Sequence, residues 1–440
     1  MVRQNIKIAV LTLTATVFLT INLFATDGYF RHGYGIKYSA LAGSGVAVPL
    51  SSLGAITNPA GLAFVPTQYN FNIAFFSPMR EYTVTGNPSD PNQFPGTFGL
   101  QPGTIESETK LFVFPTLGAN WKINPTMAVG LVVYGNGGMN TDYPTQTFYD
   151  PNSPSTGVNL EQLFVGATYA IEFIKDHSLG VTALFAWQKF RAKGLASFSA
   201  FSSDPANLTG NSNSISTGFG GKVGYQGQFG NIIRLGASFQ TKMYMSEFDR
   251  YKGLFAEMGD FDIPANWQAG IAVMPNKELT LMLDVQQILY SGVKSIANPM
   301  DLVNNSPSLP NGTPNPNFQP LGTNEGWGFG WEDMTIVKFG AMYELPQNWT
   351  LYGGYSYGKQ PIPEAEVLFN ILAPGTVEHH ITLGLSKMFC NSQEVMIALM
   401  YAPAGNVKGN NPLDPPSQQT IELQMSQFQV EVGYAFSLVQ

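Results

Sequence analysis

The sequence predicts an all-β fold, a fourteen-stranded antiparallel transmembrane β-barrel with an N-terminal hatch, or plug, inside the lumen. Only 12% of the 440 residues are charged while 13% are aromatic, a balance that departs from ordinary soluble domains. Beyond the first 25 residues there is no run of 18 or more apolar residues, so membrane-spanning helices are excluded. Fourteen strand-like segments follow one another instead. A closed barrel is the remaining way to satisfy every backbone hydrogen bond inside a membrane.

Residues 1–25 are predicted to be a signal peptide. Arg3 and Lys7 form a positively charged start, an apolar run covers 8–24, and Ala25 is a small residue suited to cleavage. A retained anchor is the alternative, although polar residues within the run weaken it as a membrane span. The only cysteine, Cys390, is far from the cleavage site, which argues against a lipoprotein and excludes an intramolecular disulfide.

Residues 26–66 are predicted to form the plug, and 67–440 the transmembrane barrel. The stretch from Tyr38 to Met79 contains no charged residue and no histidine. Glycine and proline recur in its first part and would interrupt a helix. A segment so rich in small residues cannot build its own core, so we expect it to be sheltered inside a larger structure.

Strand-like alternation is clearest at the end of the chain. From 428 to 438, apolar residues alternate with polar or small ones, which gives one apolar and one polar face. The predicted strands are 68–85, 105–122, 126–137, 160–174, 177–198, 213–229, 231–245, 263–274, 278–293, 334–345, 348–359, 376–390, 394–403 and 423–438.

The connections between these strands alternate in length. Short turns, such as Asn124-Pro125, alternate with long polar loops, of which 294–333 is the longest. This sorting is typical of an outer-membrane barrel, and an even strand number places both chain ends on the periplasmic side. Trp121 and Trp349 each adjoin a short turn, as expected of an aromatic girdle at the periplasmic interface of the outer membrane.

Five segments, taken in order, resemble one known family. They are ALAGSGVAV and TNPAGLAF within 40–64, FVFPTLGANWKINPTMAVGLVVYGNGG at 112–138, FDIPANWQAGIAV at 261–273 and WEDMTIVKFGAMYELPQNWTLYGGYSY at 331–357, followed by PIPEAE. The chain resembles the FadL/TodX family of outer-membrane transporters for hydrophobic compounds, including long-chain fatty acids. The chain departs from the usual terminal aromatic residue of such barrels, since it ends in Gln440.

The resemblance implies a hatch in the lumen and an inward kink of the third strand that opens a lateral gap. The hatch motif falls on Asn58, Pro59, Ala60 and Gly61, which we expect to contact the side opening. The kink falls on Tyr134, Gly135, Gly137 and Gly138. Dense glycine weakens ladder pairing and permits a bulge, although these glycines are also consistent with the start of a loop.

Together, these observations predict passive, ligand-gated uptake of hydrophobic molecules, either long-chain fatty acids or aromatic hydrocarbons. Capture at the outer loops would be followed by binding in a lumenal pocket and lateral exit at the third-strand kink. The expected location is the outer membrane of a Gram-negative bacterium. An outer-membrane lipolytic enzyme and a general porin are the alternatives.

Several residues are candidate ligand contacts. Alternation directs Lys222, Arg234, Lys242 and Lys338 into the lumen, where a cation would compensate a buried carboxylate. Pairing with lumenal Asp284, Glu344 or Glu161 is the alternative function of these cations. Met243, Met245 and Phe255 are candidates for an apolar path near the loop 246–262, which is also consistent with a short helix covering the barrel mouth.

Other chemistry is weakly represented. Ser356 lies in a G-x-S-x-G match, but within a predicted strand and not at a strand-turn-helix elbow. Neighbouring His379 and His380 point to opposite faces of a strand, which is unsuitable for joint metal binding. We therefore predict no enzymatic activity, no cofactor and no metal.

The predicted partners are a hydrophobic ligand, outer-membrane lipid and lipopolysaccharide. Lys189, Arg191 and Lys193 share a predicted lipid-side face and would meet lipopolysaccharide phosphates above the membrane. No long basic run supports nucleic-acid binding. A monomer is expected.

Overall fold

The computed structural model describes residues 27–438 except 91, 95–96, 302–305, 310–311 and 391, so the predicted signal peptide lies outside the described residues. Its antiparallel sheet contains sixteen strands, of which fourteen form a closed barrel wall because the first pairs with the last. The predicted fourteen-stranded antiparallel barrel is confirmed. The wall strands are β1 (Gln68–Thr85), β2 (Phe112–Asn124), β3 (Met127–Gly137), β4 (Gly157–Ile174), β5 (His177–Lys193), β6 (Ser214–Phe229), β7 (Ile233–Gln240), β8 (Asn266–Val273), β9 (Leu279–Ile288), β10 (Met334–Leu345), β11 (Trp349–Gly358), β12 (His379–Phe389), β13 (Gln393–Asn410) and β14 (Thr420–Ser437).

Alternation along the strands separates an apolar outer surface from a polar interior. In β14, Phe428 and Val432 are exposed on the outer face while Gln429 and Glu431 are buried inside. The same pattern recurs around the ring and suits a wall with lipid outside and polar side chains within. None of the described helices is long and apolar enough to cross a membrane.

Two predicted strands are interrupted. The prediction at 105–122 is divided, because Gly103–Glu106 pairs with the far end of β1 and β2 begins only at Phe112. Arg80 holds the intervening backbone outside the ladder by donating to the carbonyl of Thr109. The prediction at 231–245 breaks after Gln240, where Thr241 donates and accepts hydrogen bonds with Gly221, and resumes as the short strand Tyr244–Met245 on β6.

Residues 27–66 lie inside the ring and are almost entirely buried. This plug segment contains helix α1 (Ile36–Ser39), helix α2 (Gly54–Thr57) and a 3-10 helix at Pro59–Phe64. The long-loop end carries helices α3 (Ala256–Gly259) and α4 (Lys294–Ala297). Further 3-10 helices are Ala196–Phe201, Pro205–Asn207, Asp249–Tyr251, Tyr290–Gly292, Pro346–Asn348, Glu364–Glu366 and Phe369–Ile371.

Charged groups join the plug to β10, β13 and β14. Asp27 pairs with Lys338 of β10 at 3.2 Å, and Lys37 pairs with Glu394 of β13 at 2.8 Å. Arg31 pairs with Glu431 of β14 at 3.4 Å. Towards β2, β3 and β5, the plug instead packs Leu53, Leu62 and Ala60 against wall glycines.

Candidate ligand-binding site

A cavity of about 370 Å³ lies between plug residues 28–32, the start of β2 and the end of β3. Its size falls in the range of small-molecule pockets, which are mostly apolar with a few polar groups. Aromatic side chains form much of its lining: Tyr29, Phe30, Phe76, Phe112, Phe114, Trp187 and Trp331. The cavity is therefore suited to an apolar molecule.

The wall is discontinuous beside this cavity. The β2–β3 ladder ends at the pair Thr116–Tyr134, and the register between β3 and β4 shifts between Gly135 and Gly137. Gly137 has φ +153°, a conformation that L side chains rarely adopt. The end of β3 thus leaves its neighbour β2 at the glycines that the sequence singled out.

Plug backbone occupies the place that β2 leaves. Arg31 N donates to Asn136 O at 3.3 Å, and Gly138 N donates to Tyr29 O at 3.2 Å. Tyr34 also donates its hydroxyl to the side-chain oxygen of Asn136 at 2.6 Å. The bent end of β3 is therefore hydrogen-bonded to the plug in place of its neighbouring strand.

The cavity reaches residues on both faces of the wall. Inward-facing Arg80 and Gln429 line it, as do Val113 and Leu163. The side chains of Val113 and Leu163 lie on the outer surface, where the residues are 53% and 38% exposed. The cavity thus extends from the lumen to the outer, apolar face at the β2–β3 discontinuity.

Two arginines provide the positive charge of the cavity. Arg80 donates to the carbonyls of Thr109 and Asn140, and its guanidinium lies 5.5 Å from the centre of the Phe112 ring. Arg31 lies 5.5 Å from the Phe114 ring. The Nε atoms of both arginines, and Nη1 of Arg31, are buried without a hydrogen-bond partner among the described residues. Such N–H groups can donate hydrogen bonds to an anionic oxygen of a ligand.

The seven predicted ligand contacts lie elsewhere. Lys222 donates to Ile56 O at 2.5 Å, Lys338 pairs with Asp27, and Arg234 donates to Gln228 at 2.9 Å. None of the seven is among the described residues that line the large cavity, although Lys222 and Lys338 line a smaller polar one. Alternation correctly indicated that Lys222 and Lys338 face the lumen, but it did not indicate which part of the lumen is empty.

The other four candidates belong to the long-loop end. Lys242 pairs with Asp262 at 2.7 Å. Burial is the largest single effect on the pKa of Lys242 and lowers it, but the hydrogen bond and the charge of Asp262 outweigh burial, so that the pKa is raised. Met243 and Met245 are buried. Phe255 is buried against Phe190, with ring centres 4.6 Å apart. These side chains fill the packed interior of the loop layer.

The Asn58-Pro59-Ala60 motif contacts a different part of the wall from the one expected. Asn58 Nδ2 donates to Tyr225 O of β6 at 2.8 Å, and Ser178 of β5 donates to Ala60 O at 2.9 Å. Gly61 also lies near β6, with Gln226 as its nearest side-chain neighbour. The expected contact with the bent end of β3 is made instead by residues 29–31.

Ser356 and His380 are neighbours inside the barrel, with Oγ and Nδ1 2.9 Å apart. Asp27 Oδ1 lies 4.0 Å from the same nitrogen. A Ser-His-Asp triad places serine and carboxylate on opposite ring nitrogens, whereas Nε2 of His380 has no partner among the described residues. The arrangement does not match that of a hydrolase. Within the described residues, no group of three or more His, Cys, Asp or Glu side chains could hold a metal ion.

Comparisons with known proteins agree with this architecture. The family model described as outer membrane protein transport protein (OMPP1/FadL/TodX) matches residues 33–432. The toluene transporter TodX of P. putida has a TM-score of 0.65 at 16% identity, over 93% of this chain and 99% of that one. A Pseudomonas aeruginosa FadL homologue gives 0.65 at 15% identity with the same coverage.

The Ralstonia pickettii toluene transporter TbuX gives a TM-score of 0.60 at 18% identity, over 93% of this chain and 99% of that one. At these identities the structural matches establish the shared fold. No curated protein matches the sequence.

Proposed function

Because the chain belongs to the OMPP1/FadL/TodX family of Gram-negative outer-membrane transport proteins, we propose that it takes up hydrophobic molecules passively through its side wall. Membership of a transport family sets aside the lipolytic enzyme. The single observation that carries the proposal is the cavity at the β2–β3 discontinuity, which is lined from the lumenal Arg80 to the outward-facing Val113 and Leu163.

The proposed route follows the apolar surface. A molecule captured by the long loops enters the aromatic cavity and leaves between β2 and β3 into the membrane. Burying an alkyl chain gains about 0.8 kcal/mol per CH₂, so the apolar lining can supply most of the affinity. Release requires the bound and empty states to differ in conformation. We propose that the plug residues 27–66 act as the hatch that makes this change.

The two arginines favour a ligand with an apolar body and one anionic group. Arg31 and Arg80 each have an N–H group that lacks a partner among the described residues, beside aromatic rings. A carboxylate there would satisfy these donors, whereas a neutral hydrocarbon would leave them unpaired. Between the two expected classes, fatty acids are therefore the proposed substrates. Mass spectrometry of ligand retained in mild detergent tests this choice.

Blocking the wall tests the route. Gly135 belongs to the outward-facing positions of β3, and an added Cβ would lie 3.0 Å from the Phe114 ring. Gly135→Leu should fill the discontinuity and reduce fatty-acid uptake by cells. The matched control is Gly353→Leu on β11, where the nearest described atom to an added Cβ is 3.8 Å away in Leu383. Equal uptake by both variants, at equal barrel assembly, would contradict lateral exit.

The general porin makes a different prediction. A porin would show large ohmic conductance to ions in planar bilayers, whereas we expect little because the plug fills the lumen. The proposed hatch is tested by deleting residues 27–66. Unchanged uptake of every apolar substrate, with barrel assembly intact, would contradict a role for the hatch.

Contact with lipid and lipopolysaccharide, and a monomeric state, are also proposed. Lys189 and Lys193 are each paired, with Glu161 at 2.8 Å and Asp142 at 2.7 Å. Arg191 is exposed on the same strand. Arg191 is therefore the proposed phosphate contact, and Arg191→Ala should reduce lipopolysaccharide retained on purification.

A further inference from the structure

A second, smaller cavity lies in the lumen, between the plug, the end of β3 and β6–β10. Its volume is about 20 Å³, which is enough for a single occupant the size of a water molecule. Plug residues close one side of it and wall side chains close the other. The residues used below are Arg31, His32 and Ile56 of the plug, and Lys222, Gln240 and Lys338 of the wall.

The charges around this cavity are of one sign. Arg31, Lys222 and Lys338 line it, and the described lining contains no Asp or Glu. Arg31 and Lys338 have carboxylate partners, Glu431 and Asp27, that lie outside the lining. Lys222 makes no ion pair within the described part of the chain, and its ammonium group donates a hydrogen bond to Ile56 O. A buried ammonium group without a counter-ion is costly.

His32 does not add to the charge. Burial, followed by the charges of Arg31 and Lys338, lowers the pKa of His32 to about 3. Its Nε2 lies 3.2 Å from Ser39 O. The imidazole is therefore neutral at physiological pH.

Hydrogen-bond donors around the cavity also lack partners. Gln240 is 3% exposed, and its Nε2 has no partner among the described residues. The Nε and Nη1 atoms of Arg31 are also buried without a hydrogen-bond partner among the described residues. Buried donors are normally satisfied. Unpaired donors and an uncompensated cation around one small space are the surroundings that an anion needs.

We propose that this cavity binds one small inorganic anion of halide size, held by Lys222, Gln240 and Arg31. A halide compensates the charge of Lys222 and accepts hydrogen bonds from several N–H groups at once. A water molecule is neutral and would leave the charge of Lys222 uncompensated. Because Arg31 belongs to the plug and the other two residues to the wall, the bound anion fastens the plug in its seated position. This inference goes beyond the proposed transport function and does not depend on it. Because Arg31 lines both cavities, an anion here leaves Arg80 as the arginine that the proposed carboxylate needs.

Bromide tests the site directly. Crystals of the wild-type protein soaked in sodium bromide should show an anomalous peak within hydrogen-bond distance of Lys222 Nζ and Gln240 Nε2. Lys222→Met should lose the peak. Lys242→Met is the matched control and should keep it, because Lys242 pairs with Asp262 at the long-loop end. Density without an anomalous signal, or density for the carboxylate of a larger ligand, would overturn the proposal.

Stability provides an independent measurement. The thermal midpoint in detergent should be higher in sodium bromide or chloride than in the same concentration of sodium gluconate, whose anion is too large for the cavity. The difference should disappear in Lys222→Met and persist in Lys242→Met. Equal wild-type midpoints in all three salts would count against the site. If Lys222→Met does not assemble, Gln240→Leu takes its place in both experiments. If neither variant assembles, the presence or absence of the bromide peak in the wild-type protein decides. Uptake is not measured, so failure here leaves the transport proposal untouched.

Discussion

Lys338 Nζ lies 3.2 Å from Asp27 Oδ2, and both side chains are only 2% exposed. Lys338 also donates to His32 O at 2.8 Å. The first described residue of the plug is thus fixed to the middle of β10 by a buried ion pair. Removing one partner leaves the other charge uncompensated, which makes this pair a sensitive test of how firmly the plug is attached.

We expect Lys338→Met to lower the free energy of unfolding by about 3–5 kcal/mol, the usual cost of breaking a buried pair. The double variant Asp27→Asn/Lys338→Met should recover much of this loss, because neither charge remains. Urea titration of the reconstituted protein measures both. Lys110→Met removes an exposed pair with Glu106 and should change stability by about 1 kcal/mol or less. A similar loss in both single variants would show that burial of the pair is unimportant.

A methyl group on Gly180 should push the plug away from β5. An added Cβ there would overlap backbone atoms of Pro59 and Ala60. Overpacking of this kind costs about 1–3 kcal/mol, so Gly180→Ala should lower the thermal midpoint and increase protease cleavage near 58–61. Gly221→Ala on β6 is the control, since its added Cβ meets only Thr182 O at 3.6 Å among described atoms. Equal cleavage of the two variants would contradict tight seating.

The loop around Asp260 should be more ordered in acid than in base. Burial, and then the charge of Asp262, raises the pKa of Asp260 from 3.8 to about 7. Because the folded-state pKa is raised, the stabilisation is fully present below about pH 4 and is lost as pH rises through about 7. The other facing charges are Glu257, and Lys242, which pairs with Asp262.

Hydrogen exchange, corrected for the intrinsic rate at each pH, should therefore show more protection of 246–265 at pH 5 than at pH 8. Asp260→Asn should remove this difference. Asp249→Asn should retain it, because Asp249 is exposed and paired with Lys252. Protection that rises with pH in the wild type would reverse the assignment.

Arg80→Met should distinguish charged from neutral ligands. Losing a hydrogen bond to a charged group costs about 1.5–3 kcal/mol, or roughly ten- to hundredfold in affinity. Calorimetry in detergent should show this loss for a fatty acid and little change for an aromatic hydrocarbon. Because Arg80 also holds the backbone of Thr109 and Asn140, the hydrocarbon controls for damage to the cavity. Equal losses for both ligands would exclude a carboxylate contact.

The barrel could be predicted from sequence because its signals are local. A period of two residues identifies a strand and both its faces, and short turns at Asn124 and Lys175 fix the neighbours. The glycines at 135–138, which the family resemblance singled out, follow the last residue pair of the β2–β3 ladder. Boundaries failed where a distant contact intervened, as at Arg80, which holds 107–111 outside the ladder.

The cavity could not be located in the same way. Lys222 and Lys338 were chosen because they face inward, but inward-facing side chains fill most of the lumen. The empty space depends on where residues 28–32 approach β3, a long-range contact that periodicity does not encode. One signal was available: Arg80 is the first charge after the uncharged stretch and faces the lumen in β1. Such an isolated inward charge is costly without a partner.

The hydrogen bonds of Tyr29 and Arg31 to the end of β3 replace part of the β2–β3 ladder with plug backbone. Inside a membrane, the polar backbone groups that this plug backbone covers cannot be left bare. If residues 29–31 were absent, the start of β2 would be the nearest backbone that could pair with the end of β3. We therefore expect the gap between β2 and β3 to be narrower in a barrel that lacks residues 29–31.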